Sequence, residues 1–449
     1  MTKVLFIPGL PGSKLRVRRA NGTSTKVWLP RLSQMVPSLD PTVMRRLCGP
    51  DDLATDDGVF AGRPIRTAAR FLGFDLMKQA GSLYDILEDL GLGESDVLKL
   101  GWDWRRPVTD DALPPGADGS AGSARLALKR LLEAQAEPVT LIVHSTGGLL
   151  MRHCLEREPD LASKVERVIA FGVPWGGTLK SLAALVGQQG FGTISPAEAQ
   201  KVFSSSWSAF DLLPRAVGAG LVTGPTGVEV DLLADTAWTS RVPNDPQGEL
   251  GEAMRLRAAH SLATLGTPGP EWTLPIDVIN VAGWGKKTIV RAELGADDTL
   301  DLDPPDLDNE SGHDAEDGCS ATDEAVYQGD GTVPFASASW LTGDRVTSYY
   351  VPIGALKQVT MSNQRHSALW RNPGARALLG HHLAGRPFEA FAYAAVDWSH
   401  KVDPAAERVR IRYVMQAPDG APLDGAAPRV RTTSGDVAGT LAPDGRGLF

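Results

Sequence analysis

A serine at the junction of an apolar run and a helical pattern is the feature that most constrains the fold of this chain. Residues 139–143 read VTLIV, which is typical of a strand covered on both faces. The motif HSTGG follows at residues 144–148, and residues 149–158 continue with helical spacing. Such a turn lifts the serine hydroxyl above the edge of a sheet, and the helix N-terminus supplies amide donors beside it. Ser145 is therefore the candidate nucleophile.

Further apolar runs alternate with helical patterns along the chain. Residues 4–7, 165–173 and 276–282 are rich in Val, Ile and Leu, and residues 358–361 form a weaker run. Residues 123–135 carry leucines near helical spacing. This alternation predicts an α/β fold with a mostly parallel central sheet.

Three segments depart from that alternation. We interpret residues 180–272, interrupted by several Gly and Pro, as an insertion above the sheet that forms a cap or lid. Residues 297–317 hold ten acidic side chains and no Lys or Arg. A solvated acidic loop is the preferred interpretation there, and a calcium site that begins at Asp301-x-Asp303 is the alternative. Residues 388–449 have period-two alternation and turn signals, which predicts a small β-rich accessory module after an α/β domain over residues 1–387.

The composition excludes several classes of function. The net charge is −9 and no dense Lys/Arg block occurs, so nothing favours binding to nucleic acid. The three cysteines lack paired spacing, which argues against a disulfide framework. Neither C-x-x-C nor H-E-x-x-H is present, and we predict no metal and no cofactor. The apolar run at residues 4–7 is too short for a signal-peptide core, and no 18-residue apolar run exists, so we predict a cytoplasmic protein.

A serine hydroxyl needs a base, and after a strand-to-helix serine the acid precedes the histidine in the chain. His381 and His382 end a helical pattern, and His400 falls in the accessory module. His366 lies in a polar loop between an apolar run and a helix, so it is the candidate base. His144 adjoins the serine, but adjacent side chains on a sharp turn diverge, which favours a structural role for it.

The acid and the oxyanion donors have their own candidates. Asp330 is flanked by Gly329 and Gly331, which form a tight loop that can direct one carboxylate inward; a plain turn residue is the alternative. The backbone N–H of Thr146 is the first oxyanion donor, and that of Leu10, in the loop after the first strand, is the second.

Six short motifs in order resemble the lecithin:cholesterol acyltransferase family, which includes lysosomal phospholipase A2 and the phospholipid:diacylglycerol acyltransferases. They are PGLPGSKL at 8–15, WDWR at 102–105, HSTGG at 144–148, PWGG at 174–177, LLP at 212–214 and GDGTVP at 329–334, with His366 last. The resemblance covers roughly residues 1–385. Val143 stands where the serine motif of such enzymes has glycine.

The resemblance implies an α/β-hydrolase fold with a triad of Ser145, Asp330 and His366, and oxyanion amides at Leu10 and Thr146. It implies a lipid ester as acyl donor, with water or an alcohol as acceptor, and it allows a peripheral contact with a lipid surface. It also offers five candidates for the substrate pocket: Trp102, Asp103, Trp104, Arg105 and Trp175. A core role for Trp104 and a structural ion pair between Asp103 and Arg105 stay open as alternatives. Two other functions also stay open: a carboxylesterase for small or polar esters, and a non-catalytic binding protein on the same fold.

Overall fold

The structure is a computed structural model, and it describes most of the chain up to residue 386 and several strands beyond. The described residues are 3–19, 21–28, 41–66, 70–71, 74–75, 80–112, 123–190, 194–215, 222–224, 229–233, 249–266, 269–284, 288–294, 300–303, 329–352, 366–386, 392–393, 412–415, 429–432, 435–438, 440–441 and 446–448.

Strands and helices alternate through the described residues. The strands are β1 Val4–Ile7, β2 Ser13–Arg18, β3 Ser24–Trp28, β4 Val59–Pro64, β5 Arg70–Phe71, β6 Phe74–Asp75, β7 Val97–Lys99, β8 Val139–His144, β9 Val165–Phe171, β10 Val222–Thr223, β11 Asp277–Trp284, β12 Arg291–Leu294, β13 Leu300–Asp303, β14 Val346–Pro352, β15 Ala392–Tyr393, β16 Arg412–Met415, β17 Arg429–Thr432, β18 Gly435–Ala438, β19 Thr440–Leu441 and β20 Arg446–Leu448. The helices are α1 Pro41–Leu47, α2 Gly81–Asp89, α3 Ala124–Glu133, α4 Thr146–Arg157, α5 Leu179–Leu185, α6 Pro196–Ser205, α7 Trp207–Asp211, α8 Glu249–Leu265, α9 Phe335–Ala338 and α10 Pro373–Ala384.

Six parallel strands form the central sheet, in the order β14-β11-β9-β8-β1-β7. Its two faces are both covered, because alternate residues of one strand enter different hydrophobic clusters. Leu5 and Ile7 pack into one cluster, and Val4 and Phe6 pack into the other. Burial on both faces explains why these strands are continuous apolar runs in the sequence. The predicted α/β class with a mostly parallel sheet is confirmed.

The strand order creates a crevice at the carboxyl end of β1. The chain passes from β1 to β7 on one side and later returns to place β8 on the other side. Loops that leave neighbouring strands in opposite directions open a crevice at such a switch point, where ligands of α/β proteins bind. Leu10 follows β1, Trp102 follows β7 and Ser145 follows β8. Asp330 and His366 lie in the connections that follow β11 and β14. The fold therefore places every predicted site segment at the carboxyl end of the parallel strands.

Two strands of this sheet carry no clear signal in the sequence. β7 has only three residues, and β14, which reads VTSYYVP, is an edge strand with polar positions. The weak run at residues 358–361, which we predicted as a strand, lies outside the described residues. The run at 165–173 ends as a strand at Phe171, and the run at 276–282 forms β11.

The predicted insertion lies between β9 and β11, and it has a hydrophobic cluster of its own. Leu182, Phe210 and Met254 belong to this cluster. Ile289 and Leu302, which follow β11, belong to it as well. In addition, β10 of the insertion pairs with β12, and β12 pairs with β13. The inserted structure thus extends past the predicted boundary at residue 272. Its sheet combines β10, which precedes β11, with β12 and β13, which follow β11. Its role as a cap stays a prediction.

The acidic segment and the C-terminal part are only partly described. Residues Leu300–Asp303 form β13, so the predicted acidic loop begins with a paired strand that includes Asp301. The remainder of that segment, and with it the calcium alternative, lies outside the described residues. Beyond residue 388, β15, β16, β20 and β19 form one sheet, and β17 pairs with β18. These strands agree with the predicted β-rich composition, and a separate module stays a prediction. No helix in the described ranges combines the length and the apolar character that a bilayer crossing needs.

Candidate active site

Ser145 occupies a strained backbone position at the end of β8. Its φ is 52° and its ψ is −133°, and it is the one non-glycine residue with positive φ in the described part of the chain. Its N–H donates to the carbonyl oxygen of Phe171 at 3.0 Å, and α4 begins at the next residue. Non-glycine residues in such regions cost about 1–3 kcal/mol each and cluster at active sites. The strand-to-helix turn predicted from the sequence is therefore present, with the serine at its apex.

Glycines around the turn allow the backbone segments to approach one another. A Cβ at Gly147 would lie 2.5 Å from the carbonyl oxygen of Ile7, so a side chain there would push α4 away from β1. A Cβ at Gly9 would lie 2.5 Å from the Cβ of Ser145 and 3.1 Å from its Oγ. Val143 is fully buried in β8, and the structure accommodates the valine where the serine motif has glycine.

Asp330 holds His366 in a fixed orientation. Its Oδ2 lies 2.5 Å from Nδ1 of His366. Its Oδ1 accepts the backbone N–H groups of Thr332 and Val333, at 3.0 Å and 2.8 Å. Asp330 is 1% exposed, so this carboxylate is shielded from water. Nε2 of His366 is buried, without a hydrogen-bond partner in the described residues. A carboxylate on Nδ1 leaves Nε2 as the nitrogen that can exchange a proton with another group.

The acid–base pair and the serine turn meet at Gly172. The carbonyl that accepts the Ser145 N–H belongs to Phe171, the preceding residue. A Cβ at Gly172 would lie 2.9 Å from Oδ2 of Asp330 and 3.0 Å from Cε1 of His366. The segments that carry Ser145, Asp330 and His366 thus adjoin one another at the carboxyl ends of β8 and β9.

We expect Gly172→Ala to lower kcat about 10- to 100-fold, because an added Cβ forces the Asp330–His366 pair to shift, and a 1 Å misplacement can cost about 10²-fold. Initial rates on an ester substrate measure this effect. Gly266→Ala is the matched control: Gly266 has a φ of 65° but no atom within 4 Å of an added Cβ, so the substitution brings backbone strain alone. Equal activity of both variants would contradict the expectation.

His144 contacts His366 in a way that the sequence did not predict. Nε2 of His144 lies 3.2 Å from the backbone carbonyl oxygen of His366, and the two rings are 4.7 Å apart. The ring of Trp370 packs edge-on against His144 at 5.1 Å. Burial, together with the nearby His366, holds the pKa of His144 well below its usual range. His144 is therefore neutral near pH 7, and it can donate Nε2–H to the His366 carbonyl.

The two oxyanion candidates are the backbone amides of Leu10, which follows Gly9, and of Thr146, which follows Ser145. The carbonyl oxygen of Gly9 accepts the N–H of Gly12 at 2.6 Å. Because a trans peptide is planar, the Leu10 N–H points away from that carbonyl. The N–H of Thr146 belongs to the first residue of α4 and so has no acceptor within its helix.

Three of the five pocket candidates make buried structural contacts. Arg105 is fully buried, and its Nη2 lies 2.7 Å from Oδ2 of Asp103. Its Nη1 lies 2.7 Å from Oδ2 of Asp57. Burial acts to lower the pKa of Arg105, but the carboxylates of Asp103 and Asp57 outweigh it and raise the pKa. Trp175 is 1% exposed and donates its indole N–H to Oδ1 of Asn280 at 3.0 Å. The structure therefore has the ion pair that we kept as the alternative.

The other two pocket candidates contact the loop that carries Leu10. The indole N–H of Trp102 donates to the carbonyl oxygen of Pro8 at 2.8 Å. The indole N–H of Trp104 donates to that of Ser13 at 3.3 Å. Trp104 also borders a small apolar cavity that Leu10 lines.

Cys154 does not compete with Ser145 as a nucleophile. Cys48 and Cys154 are free, and Cys319 lies outside the described residues. Burial raises the pKa of Cys154 to about 12, so its thiol stays protonated at neutral pH.

A protein-family comparison matches the segment that contains Ser145. Residues 73–241 match the family model of lecithin:cholesterol acyltransferase. The resemblance indicated by the motifs is confirmed. The matched segment contains the motifs around Trp102, Ser145 and Trp175, whereas Leu10, Asp330 and His366 lie outside it.

Curated relatives share a short segment with this chain. Proteins named "Lysosomal phospholipase A and acyltransferase" from Mus musculus and Bos taurus are 30% and 34% identical to it over 96 residues. In both cases the match covers 20% of this chain and 21% of the relative. The chain thus spans about a fifth of the length of the curated relatives that it matches.

Solved structures show a weaker likeness. The structure titled "The crystal structure of Tle4-Tli4 complex" has a TM-score of 0.46 at 14% identity, and covers 84% of this chain and 96% of that one. A monoacylglycerol lipase of Paleococcus ferrophilus has a TM-score of 0.21 at 17% identity, and covers 47% and 71%. Both TM-scores are below 0.5, so neither likeness supports a statement about function.

Proposed function

We propose that this chain is a serine acyl-transfer enzyme, a lipid O-acyltransferase or ester hydrolase that works through an acyl-enzyme on Ser145. One observation carries the proposal: the Asp330–His366 pair lies beside a serine that the fold holds in a strained turn. The strained backbone of Ser145 lowers the stability of the fold, and a role in an active site explains why such strain is retained. The same strain counts against the alternative of a non-catalytic binding protein.

In the first half of the proposed cycle, Ser145 attacks the carbonyl carbon of an ester. Nε2 of His366 accepts the hydroxyl proton as the new C–O bond forms, and Asp330 stabilises the resulting imidazolium. The carbonyl electron pair moves to oxygen, where the N–H groups of Leu10 and Thr146 stabilise the developing charge. When the tetrahedral intermediate collapses, the alcohol leaves with the proton from His366, and the acyl group stays on Ser145.

The second half repeats these steps with another nucleophile. His366 removes a proton from water or from an acceptor alcohol, which attacks the acyl-enzyme. Collapse of the second tetrahedral intermediate returns the proton to Ser145 and releases an acid or a new ester. The acceptor that reaches the acyl-enzyme first decides between hydrolysis and transfer, so exclusion of water favours the transferase.

A lipid ester is the proposed acyl donor. The family match over residues 73–241 and the printed names of the relatives support this substrate class. Small or polar esters are the alternative donors, and no observation in the site favours them. A cytoplasmic location and contact with a lipid surface stay predictions of the sequence.

A labelling and product assay tests the proposal. A fluorophosphonate probe should label the purified protein, and peptide mass spectrometry should locate the adduct on Ser145. With phospholipid vesicles and a panel of alcohols, mass spectrometry should detect free fatty acid, a new acyl ester, or both. Absence of label on folded protein would contradict catalysis by serine. If Ser145 is labelled but the protein turns over only short soluble esters, the proposal of a serine enzyme stands and the proposal of a lipid donor is contradicted.

A further inference from the structure

Three tryptophans donate hydrogen bonds to residues 8–13, which comprise the loop after β1 and the first residue of β2. Trp102 donates its indole N–H to the carbonyl oxygen of Pro8 at 2.8 Å. Trp28 donates to that of Pro11 at 2.9 Å, and Trp104 donates to that of Ser13 at 3.3 Å. The acceptors are three of the six carbonyls of residues 8–13, and the donors come from β3 and from the segment after β7.

The three tryptophans are themselves held in place, because they are buried and packed together. Trp28 is 3% exposed, and Trp102 and Trp104 are each 2% exposed. The rings of Trp28 and Trp104 meet edge to face, with centroids 5.8 Å apart. The backbone N–H of Trp102 also donates to the hydroxyl of Ser13 at 3.1 Å. An indole has one N–H in a fixed direction, so each tryptophan constrains the orientation of the peptide that it contacts.

These contacts bracket the peptide that carries the proposed oxyanion donor. The Gly9–Leu10 peptide lies between the carbonyls of Pro8 and Pro11, which Trp102 and Trp28 hold. The hydrogen bond from the Gly12 N–H to the Gly9 carbonyl fixes this peptide from within the loop. Rotation of the Gly9–Leu10 peptide would break the hydrogen bond from Gly12 to Gly9, and the indole bonds to Pro8 and Pro11 hold the chain on either side of it.

We propose that Trp28, Trp102 and Trp104 form a tryptophan clamp that positions the Leu10 N–H for the oxyanion of the acyl-transfer reaction. The inference rests on the proposed function. The clamp residues act through the loop and are positioning residues. This assignment replaces the substrate-pocket role that the sequence suggested for Trp102 and Trp104, since their indole N–H groups are directed at backbone carbonyls of residues 8–13.

Phenylalanine variants test the clamp, because they keep an apolar ring and remove the indole N–H. Loss of an oxyanion donor costs about 10²- to 10³-fold in kcat, and a displaced donor costs less. We therefore expect W102F to lower kcat about 10- to 100-fold and to change KM less than about threefold. W28F should also lower kcat, and this second variant keeps the test valid if W102F fails to fold.

Trp272 provides the matched control. It is 4% exposed, and its indole N–H donates to the carbonyl oxygen of Ile276 at 2.8 Å, outside the loop. W272F removes the same kind of buried bond, so its unfolding midpoint should fall about as far as that of W102F while its kcat stays near wild type. The rate of fluorophosphonate labelling, which forms a tetrahedral adduct on Ser145, should follow kcat across the three variants.

The outcomes separate the clamp from the function on which it rests. A wild-type protein without label or ester turnover would remove the proposed function. An active wild type whose W102F and W28F variants lose no more kcat than W272F would overturn the clamp. A rise in KM with unchanged kcat would also overturn it, and would return Trp102 to the substrate pocket.

Discussion

Ser145→Ala is expected to lower kcat by about 10⁴- to 10⁶-fold and to abolish fluorophosphonate labelling, while the protein stays folded. The expectation follows from the nucleophile's place in the proposed cycle: without the hydroxyl no acyl-enzyme forms, and removal of such serines has effects of this size. The backbone strain at position 145 is the same for alanine as for serine, because both residues have a Cβ atom at a φ of 52°. Activity and stability can therefore be measured separately, by initial rates and by denaturant unfolding.

Ser145→Gly should be as inactive as Ser145→Ala but more stable. Glycine adopts positive φ without steric penalty, which releases about 1–3 kcal/mol of strain, and it adds roughly 0.5–1 kcal/mol of unfolded-state entropy. We expect the free energy of unfolding to be about 1 kcal/mol higher for the glycine variant than for the alanine variant. At Ser163, in the 3₁₀ helix Pro159–Lys164, the same pair should show the opposite order. A less stable glycine variant at 145 would mean that the turn stores no strain.

Local signals in the sequence were sufficient for the serine turn and for the inner strands. The strand, the serine and the helix of the turn are consecutive, so their pattern records the geometry directly. Strands β1, β8, β9 and β11 are covered on both faces and therefore appear as uninterrupted apolar runs. Asp330 could be selected because its flanking glycines mark a tight loop, and His366 because few histidines follow the insertion.

Contacts between distant segments could not be read from the sequence. Trp102 and Pro8 are 94 positions apart, and His144 and His366 are 222 apart. Neither spacing corresponds to a helical or strand period, so no local pattern indicates that these residues meet. The sequence could identify Trp102 as notable only through the family motif, and only the fold shows that its indole faces a loop carbonyl. The strands β7 and β14 were missed for a related reason. β7 is too short, and β14 too polar, to form an apolar run in the sequence.

Asp330→Asn is expected to lower kcat by about 10⁴-fold without unfolding the site. Oδ1 of Asp330 accepts two backbone N–H groups, from Thr332 and Val333, which an asparagine oxygen can also accept. These two donors would then orient the side-chain amide, and its NH₂ group would face Nδ1 of His366. A donor at that position requires Nδ1 to act as an acceptor, which moves the imidazole proton to Nε2. His366 would then present a proton to Ser145 where the reaction needs a base.

The change of tautomer at His366 distinguishes this substitution from a general loss of negative charge. Asp301→Asn removes a carboxylate from an exposed position in β13 and should leave kcat within about twofold of wild type. Denaturant unfolding should show Asp330→Asn close to wild type, because both backbone hydrogen bonds to position 330 are retained. Nitrogen NMR of labelled histidine would detect the proton on Nε2 in the variant. If kcat fell less than about tenfold, the carboxylate that orients His366 would have to come from another residue, and the contact between Asp330 and His366 would be structural.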